Sequence, residues 1–332
     1  MLPLVGDLVP PQRRASSLAI VGSGLALGMM IARILSGIVT NYTSWRNIYW
    51  IALGAQWVTL GVLFFTLPDY PAKNQGLKYL PLLWSMVVLF FEETLLVQAC
   101  FLAFMISGVF TSFWTTLTFL LASPPYEYSS LEIGLFALIG VGAITLTPVW
   151  SRLITDRFVQ LFSVILGLLV EFTGIVIGTF TGTLTVAGPI VQAMLMDTGS
   201  NFAQTANRSN VYSLDPKARN RLNTAYMVFS FAGQLTGTAV GNRLYAAGGW
   251  VWSGSCNIAF IGAALIVAFA RGPREKGWVG WSGGWSLRRD NYSPKEKSAP
   301  AAEGGTLEET LPESPSDSGR AQQASTKTNS GA

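Results

Sequence analysis

Long apolar runs separated by short polar or basic stretches organise this chain, at residues 17–39, 48–67, 98–122, 131–151, 158–179, 183–206, 222–244 and 250–270. A helix needs about 20 largely apolar residues to cross a hydrocarbon core of about 30 Å, and each run meets that length. The pattern predicts an all-α polytopic membrane protein with about eight transmembrane helices. PLLWSMVVLFFEE, at 81–93, has an apolar core of 11 residues that stops at paired glutamates. It is too short to span and is expected to lie along the surface as an interfacial helix.

The charges orient the bundle. With the N-terminus in the cytosol, the cytosolic segments hold Arg13, Arg14, Lys73, Lys78, Arg152, Arg157, Lys217, Arg219, Arg221, Arg271, Arg274 and Lys276, and the outer side holds Arg46 and Arg243. This positive-inside bias puts both termini in the cytosol and makes a multi-pass plasma-membrane protein the expected setting. TSWRNIYW and GGWVW place aromatic rings at span ends, where amphipathic rings prefer the headgroup level. Residues 272–332 turn to Gly, Ser, Pro, Glu and Lys and read as a disordered cytosolic tail, too poor in apolar surface to fold.

Composition narrows the chemistry. Of 332 residues, 50% are hydrophobic and 12% charged, against about 25% charged in soluble domains. The net charge of +4 does not indicate nucleic acid, because the basic residues sit between apolar runs and in the tail. The sequence contains no histidine, which excludes histidine-ligated metal sites and a serine–histidine triad. Cys100 and Cys256 read as small buried apolar residues. No cofactor or metal is expected, and no GxxxxGK[ST] phosphate loop occurs.

Small residues recur at four-residue spacing in two places: Gly24, Gly28 and Ala32, then Gly233, Gly237 and Gly241. Such ladders let helix backbones approach closely. Both follow a basic turn, PPQRRA and PKARNR, and both precede a tryptophan-rich loop, TSWRNIYW and GGWVW. Two copies with matching flanks, about 209 residues and six spans apart, read as a parallel repeat of six helices per unit.

In these residues the chain resembles the major facilitator superfamily, whose transporters are built from two six-helix halves. The first ladder is similar to the fifth helix of that fold, with Arg33 where the motif proline would stand. SRLITDRF, with Asp156 and Arg157, resembles the loop between the second and third helices of a half, although Ser151 replaces the usual glycine. The resemblance covers about residues 1–270. It implies helices five to twelve, so that 1–67 is a two-helix remnant of the N-terminal half, 68–97 a cytosolic linker with the interfacial helix, and 98–271 the six-helix C-terminal half.

Ionisable groups inside a membrane cost about 2.5–3.5 kcal/mol each on insertion scales, which makes Arg33, Glu171, Asp197 and Arg208 the candidates for chemistry. Asp197, Asn201, Gln204 and Arg208 fall at i, i+4, i+7 and i+11 and share one helical face. That stripe either binds a proton or cationic group at Asp197, with Asn201 and Gln204 orienting substrate, or belongs with Arg208 to a packing or gate network. Glu171 is expected to hydrogen-bond to a neighbouring helix, with proton coupling as the alternative. Arg33 either snorkels or, standing in for the motif proline, pairs with a carboxylate in the missing part of the fold. Asp156 and Arg157 are assigned to the gate or packing network. FTSFWTTLTF puts Trp114 among hydroxyl residues on the helix that the resemblance makes the seventh and cavity-lining, where it either stacks on substrate or packs.

The function expected is secondary transport of a small organic molecule by proton-coupled efflux, with the lipid bilayer, the substrate and the proton as partners. The rivals are an inactive truncated transporter or an incomplete gene model, and, less favoured, a membrane-embedded enzyme. The enzyme reading lacks a histidine or paired-carboxylate cluster on a facing loop.

Overall fold

A computed structural model describes residues 14–66, 79–140, 158–214 and 219–270. Among these, helices dominate: α1 (Arg14–Tyr42), α2 (Arg46–Thr66), α3 (Tyr79–Glu92), α4 (Thr94–Ala122), α5 (Ser130–Leu135), α6 (Gln160–Thr181), α7 (Ala187–Leu214) and α8 (Arg219–Ala270). Asp156, Arg157, the linker at 67–78, the second part of the run at 131–151 and the tail lie outside the described residues.

The apolar runs become helices because a membrane leaves the backbone no partner but itself. By length and composition α2, α4, α6 and α8 are each capable of crossing a bilayer. The 52 residues of α8 bend at Gly249, whose φ of 75° and ψ of −161° suit glycine and break the helix into two limbs, 219–248 and 250–270. The two runs expected at 222–244 and 250–270 are these limbs. α3 occupies the short apolar segment, and Glu93, in an extended conformation, separates it from α4. α5 starts with a capping box between Ser129 and Glu132 and tightens into a 3₁₀ turn over Phe136–Ile139.

Contacts along the helices define the bundle. α4 lies between the limbs of α8. Along the first limb, Ser107 Oγ meets Ser230 Oγ at 2.6 Å and Phe119 meets Tyr245, so α4 and this limb run in parallel. Along the second, Gln98 Nε2 donates to the Val267 carbonyl at 2.7 Å while Phe113 meets Trp250, so the direction is reversed. α6 and α7 pack antiparallel through a small-residue seam: a Cβ on Gly167 would lie 2.7 Å from Ala203 N, and one on Gly174 would lie 2.7 Å from Leu195 Cβ. α1 joins at its far end, where a Cβ on Gly37 would meet Ser130 O at 2.6 Å and Gly134 Cα at 2.9 Å.

One end of the bundle therefore collects the end of α1, the α4–α5 connection, the α6–α7 turn and Gly249. Tyr126 Oη donates to the Gly182 carbonyl at 2.9 Å, and Trp250 Nε1 donates to the Gly178 carbonyl at 2.9 Å. At the opposite end Asn207 Nδ2 donates to the Ala99 carbonyl at 2.9 Å and Gln160 Nε2 donates to Ser209 Oγ at 3.0 Å. The larger core, with Ile106, Phe113, Leu117, Leu168, Ile175, Met196 and Ile261, runs between these ends. A second cluster of Leu96, Cys100, Val211, Leu222 and Tyr226 fills the lower end, where α3 adds Phe90 stacked on Phe229 at 4.9 Å.

α2 has no buried residue, and Trp57, Phe64 and Phe65 stand outward. For a helix whose surroundings are hydrocarbon, such outward apolar side chains are in their preferred solvent.

Candidate functional site

Asp197 is the buried carboxylate around which the candidate site is built. It sits on α7 with 7% of its surface exposed. Across the interface, α4 presents Trp114, whose Nε1 donates to Asp197 Oδ1 at 3.3 Å. The Arg33 guanidinium of α1 lies over the Trp114 ring, 3.8 Å from its centroid, and 5.6 Å from the centroid of Phe110. It also lies within the electrostatic reach of Asp197. Asp197 Oδ2 faces the backbone after the 3₁₀ turn, where a Cβ on Gly140 would be 3.2 Å away. Asn201 Nδ2 turns back to the Asp197 carbonyl at 2.6 Å.

These groups lie at one depth. Arg33, Trp114 and Asp197 stand eight to ten residues from the ends of their helices at Tyr42, Ala122 and Ala187, and Gly140 follows the 3₁₀ turn ten residues after Ser130. At a rise of 1.5 Å per residue that is about 12–15 Å in from that end of the bundle, a depth equal to half a hydrocarbon core of about 30 Å. In such surroundings a cation over an aromatic face contributes about 2 kcal/mol once desolvated. A hydrogen bond from an indole N–H to a carboxylate is likewise stronger there than in water.

Arg33, Trp114 and Asp197 come from three separated parts of the chain, and the fold brings them together. The remainder of the stripe diverges. Asn201 is exposed, Gln204 and Arg208 are half-buried, and Arg208 instead lies 5.3 Å from the centroid of Tyr226 toward the opposite end.

Glu171 on α6 is completely buried, and neither carboxyl oxygen has a hydrogen-bond partner. The hydrogen bond expected of it is therefore not made among the described residues. The reason is the close approach of α6 to α7: a Cβ on Gly199 would lie 2.6 Å from Glu171 N, so the side chain enters a seam of small residues. It lies within electrostatic reach of Asp197.

The ladder of the first limb of α8 meets α4 backbone to backbone. A Cβ on Gly233 would come 2.8 Å from Phe104 C, one on Gly237 2.5 Å from Gly108 C, and one on Gly241 3.2 Å from Ser112 Cα. Gly24 and Gly28 have no described atom within 4 Å of such a Cβ.

Phe110 and Gly140 were not among the sequence candidates. Phe110 precedes Trp114 by one helical turn, and that i, i+4 pairing is a signal that places both rings on one face. Gly140 carries no signal in the sequence. Its role comes from the chain's path after α5.

Comparison with known proteins gives the family. The family model described as Major Facilitator Superfamily matches residues 1–214. The "Uncharacterized transporter YgaY" of Escherichia coli O157:H7 is 30% identical over 250 residues, covering 75% of this chain and 63% of its own length. The "Probable transporter SCO4007" of Streptomyces coelicolor is 29% identical over 281 residues, covering 81% of this chain and 61% of its own. The chain thus spans about three-fifths of the length of these curated relatives. With its apolar helices, its small-residue packing and a family match over most of its length, this multi-pass membrane protein belongs to the Major Facilitator Superfamily.

Proposed function

We propose that the chain acts in secondary transport of a small organic molecule, by proton-coupled efflux across the plasma membrane with both termini cytosolic. The observation that carries this reading is the meeting of Arg33 on α1 with Trp114 on α4 and Asp197 on α7 deep within the bundle. A buried ionisable cluster in a spanning bundle is costly and marks a pathway or coupling site by default.

The site lies where α1 meets helices of the C-terminal half. Rocking of the halves about a midplane site displaces Arg33 from the Trp114 ring, and the return stroke restores it. Asp197 exchanges partners during that motion: the Trp114 N–H beneath the Arg33 guanidinium in one state, a proton or the substrate in another. When a proton binds an Asp197 carboxylate oxygen, the charge that holds Arg33 is removed and the contact loosens. Release of that proton draws Arg33 back and closes the site. Asn201, bonded to the Asp197 carbonyl, and Gln204 on the next turn continue the polar face along the route.

The test is reconstitution of the chain into vesicles containing a trapped pH-sensitive dye, followed by addition of organic cations, neutral compounds and anions. Compound-dependent proton movement is expected, and Asp197→Asn should abolish it with vesicle incorporation unchanged. Unaltered movement in that variant removes Asp197 from coupling. No movement with any compound class overturns transport by this chain.

A further inference from the structure

Resting on the reading of Asp197 as the substrate site, we propose that the site selects organic monocations, and that Arg33 is a built-in surrogate which the substrate displaces. Three features of the cluster define a receptor for positive charge.

The first is the pair of rings on α4. Phe110 and Trp114 lie one turn apart, their centroids 6.5 Å from each other, and both face the same guanidinium. Aromatic faces attract cations through the ring quadrupole, and Trp does so best. The second is the disposition of the carboxylate. Asp197 Oδ1 is engaged by the Trp114 N–H, while Oδ2 lies against the backbone at Gly140, where a Cβ would be 3.2 Å away. The Trp114 N–H orients the acid and cannot neutralise it. The third is the local charge. Asp197 is a buried carboxylate within electrostatic reach of Arg33, and among the described residues Arg33 is the cation in this cluster.

A ring pair beside an oriented acid is the chemistry that holds guanidinium, amidinium, or alkylated or arylated onium centres. In the state described here a guanidinium from α1 holds it. Because α1 belongs to the other half of the repeat, a substrate cation that takes the place of Arg33 also releases the contact between halves. Binding and conformational release are thereby one event. An anionic substrate would reverse the roles, with Arg33 as its receptor and Asp197 repelling it.

The experiment is equilibrium binding of radiolabelled tetraphenylphosphonium, with neutral triphenylphosphine oxide as the control, to the full chain in detergent. Arg33→Gln removes the resident cation and should tighten tetraphenylphosphonium binding about thirtyfold, the scale of one desolvated cation–π contact. Arg33→Lys keeps the charge but not the planar stacking on Trp114, and its affinity should fall between those of the parent and Arg33→Gln. Asp197→Asn should lose the cation selectively, and binding of the neutral control should be the same in all three. Weaker binding in Arg33→Gln assigns Arg33 to the ligand and overturns the proposal. Equal binding of the cation and the neutral control, or an unchanged cation affinity in monodisperse Arg33→Gln, overturns it as well. Cation binding without vesicle transport would defeat the transport reading alone. Transport restricted to neutral or anionic compounds would defeat this inference alone.

Discussion

Gly237→Ala tests the packing between α4 and α8, with Gly28→Ala as its matched control. The two glycines hold corresponding positions in the two ladders, so the same methyl is added in each case. At Gly237 the new Cβ would overlap the Gly108 carbonyl oxygen and lie 2.5 Å from Gly108 C and Cα. These are backbone atoms and cannot rotate away, so the helices must separate. Overpacking of this kind costs about 3 kcal/mol at the upper end of its usual range, and the better helix propensity of alanine returns about 1 kcal/mol, for a net loss of about 2 kcal/mol. For a folded unit of this size, about 2–4 °C of Tm per kcal/mol gives a fall of about 4–8 °C. At Gly28 nothing described lies within 4 Å, so only the propensity gain applies and Tm should hold or rise by up to about 4 °C. Cys100 is fully buried in α4, and Cys256 is half-buried in α8, so a thiol-reactive fluorogenic dye reads the opening of this seam during a thermal ramp. A Gly237→Ala variant melting at or above the parent refutes the close contact. An equal fall in Gly28→Ala shows that the α1 ladder is packed as tightly as that of α8.

Two further predictions concern burial and orientation. Glu171→Leu removes two carboxyl oxygens that have no hydrogen-bond partner among the described residues, so the same assay should show a higher Tm, by about 1–3 kcal/mol of relieved desolvation; a lower Tm would reveal a partner that the carboxyl needs. Cysteines placed singly at Pro125 and Asp215 should be labelled by an impermeant reagent from opposite sides of the membrane, and labelling of both from one side would refute the alternating topology.

The hydrophobic pattern determined much of the fold because the bilayer constrains it so strongly. Each apolar run must satisfy its backbone internally, and a run of about 20 residues has the helix as its answer. The runs at 98–122 and 158–179 correspond to α4 and α6 within a few residues, and the pair at 222–244 and 250–270 to the two limbs of α8. The glycine spacing in AGQLTGTAVGNRL announced a close helix contact, since a four-residue repeat of missing side chains leaves a groove on one face. The family was likewise legible, because it rests on the order of such features along the chain.

What tertiary structure decided is which helix fills each groove and which charges meet. Periodicity fixes the face of a helix and says nothing of its neighbour. GSGLALG and AGQLTGTAVG look alike as sequences, yet in the fold Gly237 lies on Gly108, Gly28 meets no described atom, and α1 makes its close approach at Gly37. Asp197 and Arg208 share a stripe, but the bundle separates them and joins Asp197 to Trp114 and Arg33, which precede it by 83 and 164 residues. Glu171 reads as one more buried acid until the α6–α7 seam seals it beside Asp197. A site of this kind is a property of several helices at one depth, and depth becomes common to them only when the bundle has closed.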